Sequence, residues 1–282
     1  MRVSERAHAK LNLALHIMGR RPDGYHQLDS IVAFADVADV LTVSPAAAVS
    51  LEISGPFAGE LRGDGTNSVV AAWHLLDEFS RRQGTTIAPV EFKLEKNLPV
   101  AAGLGGGSAD AAAALRALVK LFDLAIPAPA LEEMALQLGA DVPVCLAQAT
   151  SRMGGIGEIL EPVSIGLPSA AVLVNPRIPA PTAKVFDALG LARGQSLGTA
   201  IADLGDFTAW RNDLTLPAIA IVPEISAVLA SLESQPEILC ARMSGSGATC
   251  FGLTENLEQA QATAKRIAEA HPGWWVVAVM LL

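Results

Sequence analysis

The run Asn97-Leu98-Pro99-Val100-Ala101-Ala102-Gly103-Leu104-Gly105-Gly106-Gly107-Ser108-Ala109-Asp110 is where residue types and spacing most clearly promise chemistry. Four glycines in five positions let backbone approach a ligand closely, and a strong helix start follows. A helix N-terminus offers N–H donors and about half a positive charge, so the segment reads as a phosphate cradle. A flexible connector is the plainer alternative. Two familiar phosphate loops do not fit. No Lys follows the glycines, as a Walker loop requires. A dinucleotide fingerprint would need glycine at Ser108, and Asp123, about twenty residues past Gly103, stands at a helix end rather than a strand tip.

Other candidates are single residues. Asp141, in Gly139-Ala140-Asp141-Val142-Pro143, follows a helix-ending glycine. A carboxylate there can position an acceptor hydroxyl for phosphoryl transfer, although such an Asp is more often a turn residue. Lys10, Asn12 and His16 share one face of an alternating strand, where a lysine is ordinarily a solvated charge. Tyr25, the only tyrosine, stands beside His26 after the turn Arg21-Pro22-Asp23-Gly24. An exposed aromatic pair can stack on a nucleobase, or be simply a turn residue and a surface histidine. His8, His74 and His271, like His16, have no partner at metal-ligand spacing.

These residues belong to a chain of 282 that is 51% apolar and 17% charged, which excludes global disorder. At about 150 residues per domain, two domains are expected. A net charge of −9 gives no basic footprint for nucleic acid and argues against an anionic membrane surface. Cys145, Cys240 and Cys250 form neither a disulfide framework nor a zinc pattern, and no secretory signal or span of roughly 18 apolar residues is seen. A cytoplasmic globular protein is expected.

The elements that must position the candidates follow from periodicity. Leu11, Leu13, Leu15 and Ile17 alternate as a half-buried strand, and 28–43 holds one or two more. Thr66 or Asn67 caps a helix to about Arg82 with an apolar stripe of Val70, Trp73, Leu76 and Phe79. A strand at 90–94 precedes the glycines, an Ala-dense helix opens at Ser108, and another spans about 130–138. The second half reads strand 170–174, helix 223–232, strands 239–243 and 249–253 around Ser244-Gly245-Ser246-Gly247, helix 257–270 and strand 274–281. That is the split βαβ order of a ferredoxin-like layer. The stretch 190–206 reads as an irregular surface segment.

Taken together, Pro99 to Ala109, Ala9-Lys10-Leu11-Asn12-Leu13, the turn through His26, Thr66-Asn67-Ser68, Gly139 to Pro143, Gly155-Ile156-Gly157-Glu158, Asn212-Asp213-Leu214 and Ser244 to Ala248 resemble the GHMP kinase superfamily over nearly the whole chain. Lys10 with Asn12, the Asp-Gly-Tyr-His turn and Gly-Ala-Asp-Val-Pro resemble a branch that acts on a cytidine-diphosphate-linked methylerythritol. The resemblance implies a two-domain α+β fold. Residues 1–160 would form a ribosomal-protein-S5-domain-2-like domain carrying the phosphate loop, and residues 161–282 a ferredoxin-like domain. It implies ATP and Mg2+, and transfer of a phosphoryl group to the substrate's 2-hydroxyl in an isoprenoid-precursor route. It makes Asp141 the base, with Lys10 keeping that carboxylate ionised. Asn12, Tyr25, His26 and Asp141 would hold substrate. Asn67, Lys96, Pro99, Val100, Ala101, Ala102, Gly103, Leu104, Gly105, Gly106, Gly107, Ser108 and Ala109 would line the nucleotide, with Ser108 on Mg2+. Many relatives have a second serine where this chain has Ala109, so that hydroxyl has no bearer here.

Overall fold

Strand β1 (Val3–Arg20) alternates half-buried and exposed residues only at its start, and Ala9 to Ile17 are buried on both faces. The expected half-buried strand is therefore longer and more enclosed than its alternation implies. Lys10, Asn12 and His16 are all buried; the Asn12 amide donates to Ser30 Oγ, and His16 Nδ1 lies 3.0 Å from the Thr199 carbonyl. The computed structural model describes residues 2–61 and 67–282, so Thr66, one of the two expected caps, lies outside the described residues.

β1 is followed by β2 (His26–Pro45), β3 (Ser50–Ser54), α1 (Ser68–Arg82), β4 (Val90–Glu95), α2 (Gly106–Phe122), α3 (Ala128–Leu138) and α4 (Val142–Ala147). Then come β5 (Ser151–Gly155), β6 (Ile159–Pro162), β7 (Ala170–Asn175), α5 (Thr182–Asp187), α6 (Thr215–Ile221), α7 (Glu224–Glu233), β8 (Cys240–Met243), β9 (Cys250–Thr254), α8 (Leu257–Ala270) and β10 (Trp275–Met280). The chain forms two compact units from interleaved segments. One holds the residues up to Ala9, Val37–Val100 and Gly105–Gln148, and the other holds Lys10–Asp36, Ala101–Leu104 and Ala149–Leu282.

In the first unit, β4 pairs antiparallel with the C-terminal half of β2, from Val40 opposite Glu95 to Pro45 opposite Val90, and β3 adds to β4 in parallel. Asn67 caps α1 by accepting the Val69 N–H at 2.9 Å, and the buried stripe runs through Val69, Ala72, Trp73 and Leu76. Val70 and Phe79 of the expected stripe are half-buried at its edges. α2 packs against α1 and α4 with Ala111, Ala112, Ala113, Ala114 and Ala117 buried, small side chains that permit close approach.

In the second unit, β7 to β10 form an antiparallel sheet in the order β10-β7-β9-β8. With α7 between β7 and β8 and α8 between β9 and β10, this is the split βαβ layer the sequence predicts. Val172, Val174, Ile225, Val228, Leu232, Ala260 and Ile267 share its core with Leu15 and Ile17. The N-terminal half of β2 pairs with β5, and β5 with β6. The stretch 190–206 is irregular, as expected, but it is tied to β1 by Gly194 N–H to Arg20 O (2.7 Å) and Leu197 N–H to Met18 O (2.9 Å). No helix among the described residues is long and apolar enough to cross a membrane.

Candidate active site

α2 begins at Gly106, two residues before the expected Ser108, because Gly105 takes the left-handed conformation (φ 64°) and closes the first turn through Ala109 N–H to Gly105 O at 2.8 Å. A non-glycine residue resists that conformation. The N–H groups of Gly106, Gly107 and Ser108 therefore open the helix, where no carbonyl of the same helix can take them. Gly107 and its surroundings leave open space where a side chain would stand. The Ser68 hydroxyl donates to the Gly107 carbonyl at 3.1 Å, fixing α1 to this turn.

A buried ionic cluster lies beneath the turn. The Lys96 ammonium donates to Asp39 Oδ2 and, at 2.7 Å, to Asp110 Oδ2. Asp39 Oδ1 also accepts the N–H groups of Asn97 (2.6 Å) and Leu98 (2.9 Å). All three side chains are buried. Burial alone would lower the Lys96 pKa, but the charges of Asp110 and Asp39 hold it above the ordinary value. Burial pushes the Asp110 carboxyl up to about 7, helped by Asp39 and opposed by Lys96. Lys96, expected beside the nucleotide, thus presents its ammonium to two aspartates. Their partnership is invisible in the sequence, since Asp39 is 57 residues away and Asp110 is 14.

In the second unit, Ala101 to Leu104 meet β1 and the β8–β9 turn. Lys10 N–H donates to Leu104 O at 2.8 Å, and Thr249 N–H to Ala102 O at 3.1 Å. Ser244 Oγ accepts the Asn12 N–H (3.1 Å) and donates to Gly103 O (2.8 Å). A Cβ on Gly103 would stand 2.2 Å from the Ser244 carbonyl oxygen, so only glycine lets these backbones touch. Asn212 holds the same turn, its amide donating to Met243 O and Gly245 O at 2.8 Å each, while Asp213 Oδ2 accepts the Ile17 N–H. The turn Ser244 to Gly247 is thus both the hairpin read from its residues and a contact of the glycine segment. Asn12 Oδ1 is buried with no partner among the described residues, an acceptor suited to a ligand donor.

Tyr25 and His26 do not form one exposed pair. The Tyr25 ring is 61% exposed on a turn closed by Arg21 N–H to Tyr25 O at 2.7 Å. His26 packs instead against Phe186 of α5, with ring centroids 5.0 Å apart. Burial, and then the charge of Arg20, lower its pKa, so it is a neutral ring at pH 7. Phe186 is a third ring in this group that sequence patterning missed, because a six-residue helix carries little periodicity. Asp141 occupies the N-cap position of α4, yet its side chain makes no capping bond, unlike the turn or capping residue its local sequence favours. Pro99 is buried, Val100 and Ser108 are half-buried, and Ala109 is buried on the inner face of α2. Among the described residues no cluster of three His, Cys, Asp or Glu could hold a metal ion. The half-buried Ser108 hydroxyl at the α2 start suits an ion held mainly by phosphates and water.

Comparison with known proteins bears on this chemistry. Residues 67–149 match the family model described as GHMP kinases N terminal domain, and residues 187–273 match GHMP kinases C terminal. The 4-diphosphocytidyl-2-C-methyl-D-erythritol kinase of Paramagnetospirillum magneticum is 48% identical, over 98% of this chain and 97% of its own. The protein of that name from Cereibacter sphaeroides (strain ATCC 17029 / ATH 2.4.9) is 50% identical over 96% of each. A crystal structure of 4-(cytidine 5'-diphospho)-2C-methyl-D-erythritol kinase superposes with a TM-score of 0.81 at 32% identity, covering 99% of both chains. Homoserine kinase from Cytophaga hutchinsonii shares the fold at a TM-score of 0.72 and 17% identity, over 100% of this chain and 97% of its own.

Proposed function

The chain belongs to the GHMP kinases, and on that premise we propose that it transfers the γ-phosphoryl group of ATP to the 2-hydroxyl of 4-diphosphocytidyl-2-C-methyl-D-erythritol, in the non-mevalonate route to isoprenoid precursors. The observation that carries this reading is the near-full-length identity to two kinases of that name, at 48% and 50%.

The residues take the following parts. Asp141 orients and deprotonates the acceptor hydroxyl, and Lys10 supplies positive charge that polarises that hydroxyl. The N–H groups of Gly106, Gly107 and Ser108, with the dipole of α2, stabilise charge on the transferring phosphoryl group. Pro99 to Leu104 carry the chain into that turn, Gly105 and Ala109 close it, and Lys96 supports it from beneath, with Asn67 at the nucleotide. Asn12 offers Oδ1 to substrate, and Tyr25 with His26 receives the cytosine. Mg2+, held by Ser108 and the phosphates, would neutralise phosphate charge. The reading places the family's domain boundary near residue 160 and the protein in the cytosol, with no nucleic-acid partner.

The test is ADP release with the diphosphocytidyl substrate, homoserine and mevalonate offered separately. Turnover confined to the first is expected. Turnover of homoserine or mevalonate alone would move the protein to another branch of the superfamily. A chain that binds ATP and phosphorylates none of the three would be a nucleotide sensor.

A further inference from the structure

We propose that Asp39, Lys96 and Asp110 are positioning residues for the phosphoryl donor, a buried ionic clamp that sets the first turn of α2 against the chain entering the glycine segment. The proposal rests on the kinase reading above and deepens it.

Lys96 is fixed at both ends. Its backbone N–H donates to Ser54 O at 2.8 Å and its carbonyl accepts the Phe57 N–H at 3.2 Å, which fixes the residue just past the end of β4. Its ammonium joins Asp39 on β2 to Asp110, a turn into α2. Asp39 uses its other oxygen to hold the N–H groups of Asn97 and Leu98, the residues that lead into Pro99. The cluster lies directly under the helix start. A Cβ on Gly106 would stand 3.6 Å from Lys96 Nζ and 3.7 Å from Asp39 Oδ2. The donors of the first turn are therefore placed by the clamp, through one residue of backbone.

Stability alone does not account for such a cluster. Burying three charges costs desolvation, and well-packed apolar groups often serve a core as well or better. Asp110 moreover keeps Oδ1 buried with no partner among the described residues, a further cost that apolar packing would avoid. What charged groups add is direction: an ammonium between two carboxylates fixes three segments in one register. A phosphate cradle depends on register, since small misplacements of donors are expensive in binding and in rate.

The test uses the full chain and ATP itself, with calorimetry for the ATP Kd, steady-state KM and kcat, and thermal melting. Lys96→Met and Asp110→Asn should each raise the ATP Kd and KM about tenfold, while the KM of the phosphoryl acceptor changes less than about twofold. Lys96→Arg, which can still span both aspartates, should recover most of the lost ATP affinity. Variants that melt earlier yet bind ATP with the wild-type Kd would show a structural role only and overturn the proposal. Asp110→Asn keeps the shape of the side chain but removes the charge that holds Lys96, so it decides the matter if Lys96→Met does not fold. The wild-type protein judges the kinase reading separately. ATP binding without phosphoryl transfer would sink that reading while the variant-to-wild-type Kd ratio still decides the clamp, and a wild type that binds no ATP would overturn both.

Discussion

The hydroxyl of Ser244 donates to the carbonyl oxygen of Gly103 at 2.8 Å while it accepts the Asn12 N–H at 3.1 Å. One buried side chain thus joins the β8–β9 turn, the glycine segment and β1 within the second unit. Removing it takes the partner from a backbone donor and a backbone acceptor at once. Ser244→Ala should therefore cost about 1–3 kcal/mol of unfolding free energy, measured by urea denaturation. A loss below about 0.5 kcal/mol, the size of an ordinary surface change, would mean that the two backbone groups find other partners.

Asp141 sits at the N-cap of α4 without capping it, so replacing its charge should spare the helix. Asp141→Asn is expected to fold and bind ATP like the wild type and to lose about 10²–10⁴ in kcat, the range for a positioned acid–base group. Stopped assays with the purified variant check this, and near wild-type turnover would remove Asp141 from the mechanism.

Tyr25 holds its ring in solvent, whereas His26 is packed on Phe186. The exposed ring is the one available for stacking on a base. Tyr25→Ala should weaken the cytidine-bearing substrate by about 1–3 kcal/mol and leave the ATP KM nearly unchanged. Tyr25→Phe keeps the ring and should stay near wild type. Equal loss of both ligands would point to a folding defect instead.

Asp110 supplies a pH signature. Its carboxyl is raised from an ordinary 3.8 to about 7, so between those values the folded protein binds more proton than the unfolded chain. The contribution from this group is fully present below its unfolded value and is lost as pH rises through about 7. Asp110→Asn cannot titrate there. Wild type should therefore lose stability relative to that variant between about pH 4 and pH 7, in melts at matched ionic strength. A gap that stays constant across that range would show that the carboxyl does not take up its proton on folding.

Periodicity and punctuation made much of the fold legible. Asn67 before an apolar stripe, Gly139 after one, and the alternation of elements from Ala170 onward all correspond to observed boundaries. The glycine segment stood out because few packing arguments need four glycines at a helix start. The short elements β3, β5, β6, α4, α5 and α6 lie outside the segments that patterning picked out, and Phe186 went unseen with them. Alternation also reports which side of a strand a residue takes, not what covers that side, so Lys10, Asn12 and His16 read as open and are enclosed. The ionic cluster was illegible for a related reason. An isolated Asp in a strand and another in an Ala-rich helix look like solvated charges until the fold closes both onto Lys96. The parts given to Asp141, Lys10 and the aromatic turn come from family resemblance, since their local sequences allow blander readings.

The interleaving of the two units sets an order of assembly at the ribosome. The chain passes from one unit to the other after Ala9, Asp36, Val100, Leu104 and Gln148. The first unit has all its residues once Gln148 has been made, but Lys10–Asp36 must wait for the segment that begins at Ala149. At roughly 5–20 residues per second, that leaves Leu15 and Ile17 several seconds without the core they enter. No single break in the gene would separate one unit cleanly from the other, and a nascent chain arrested near residue 150 should be a good client for chaperones that recognise exposed aliphatic strands.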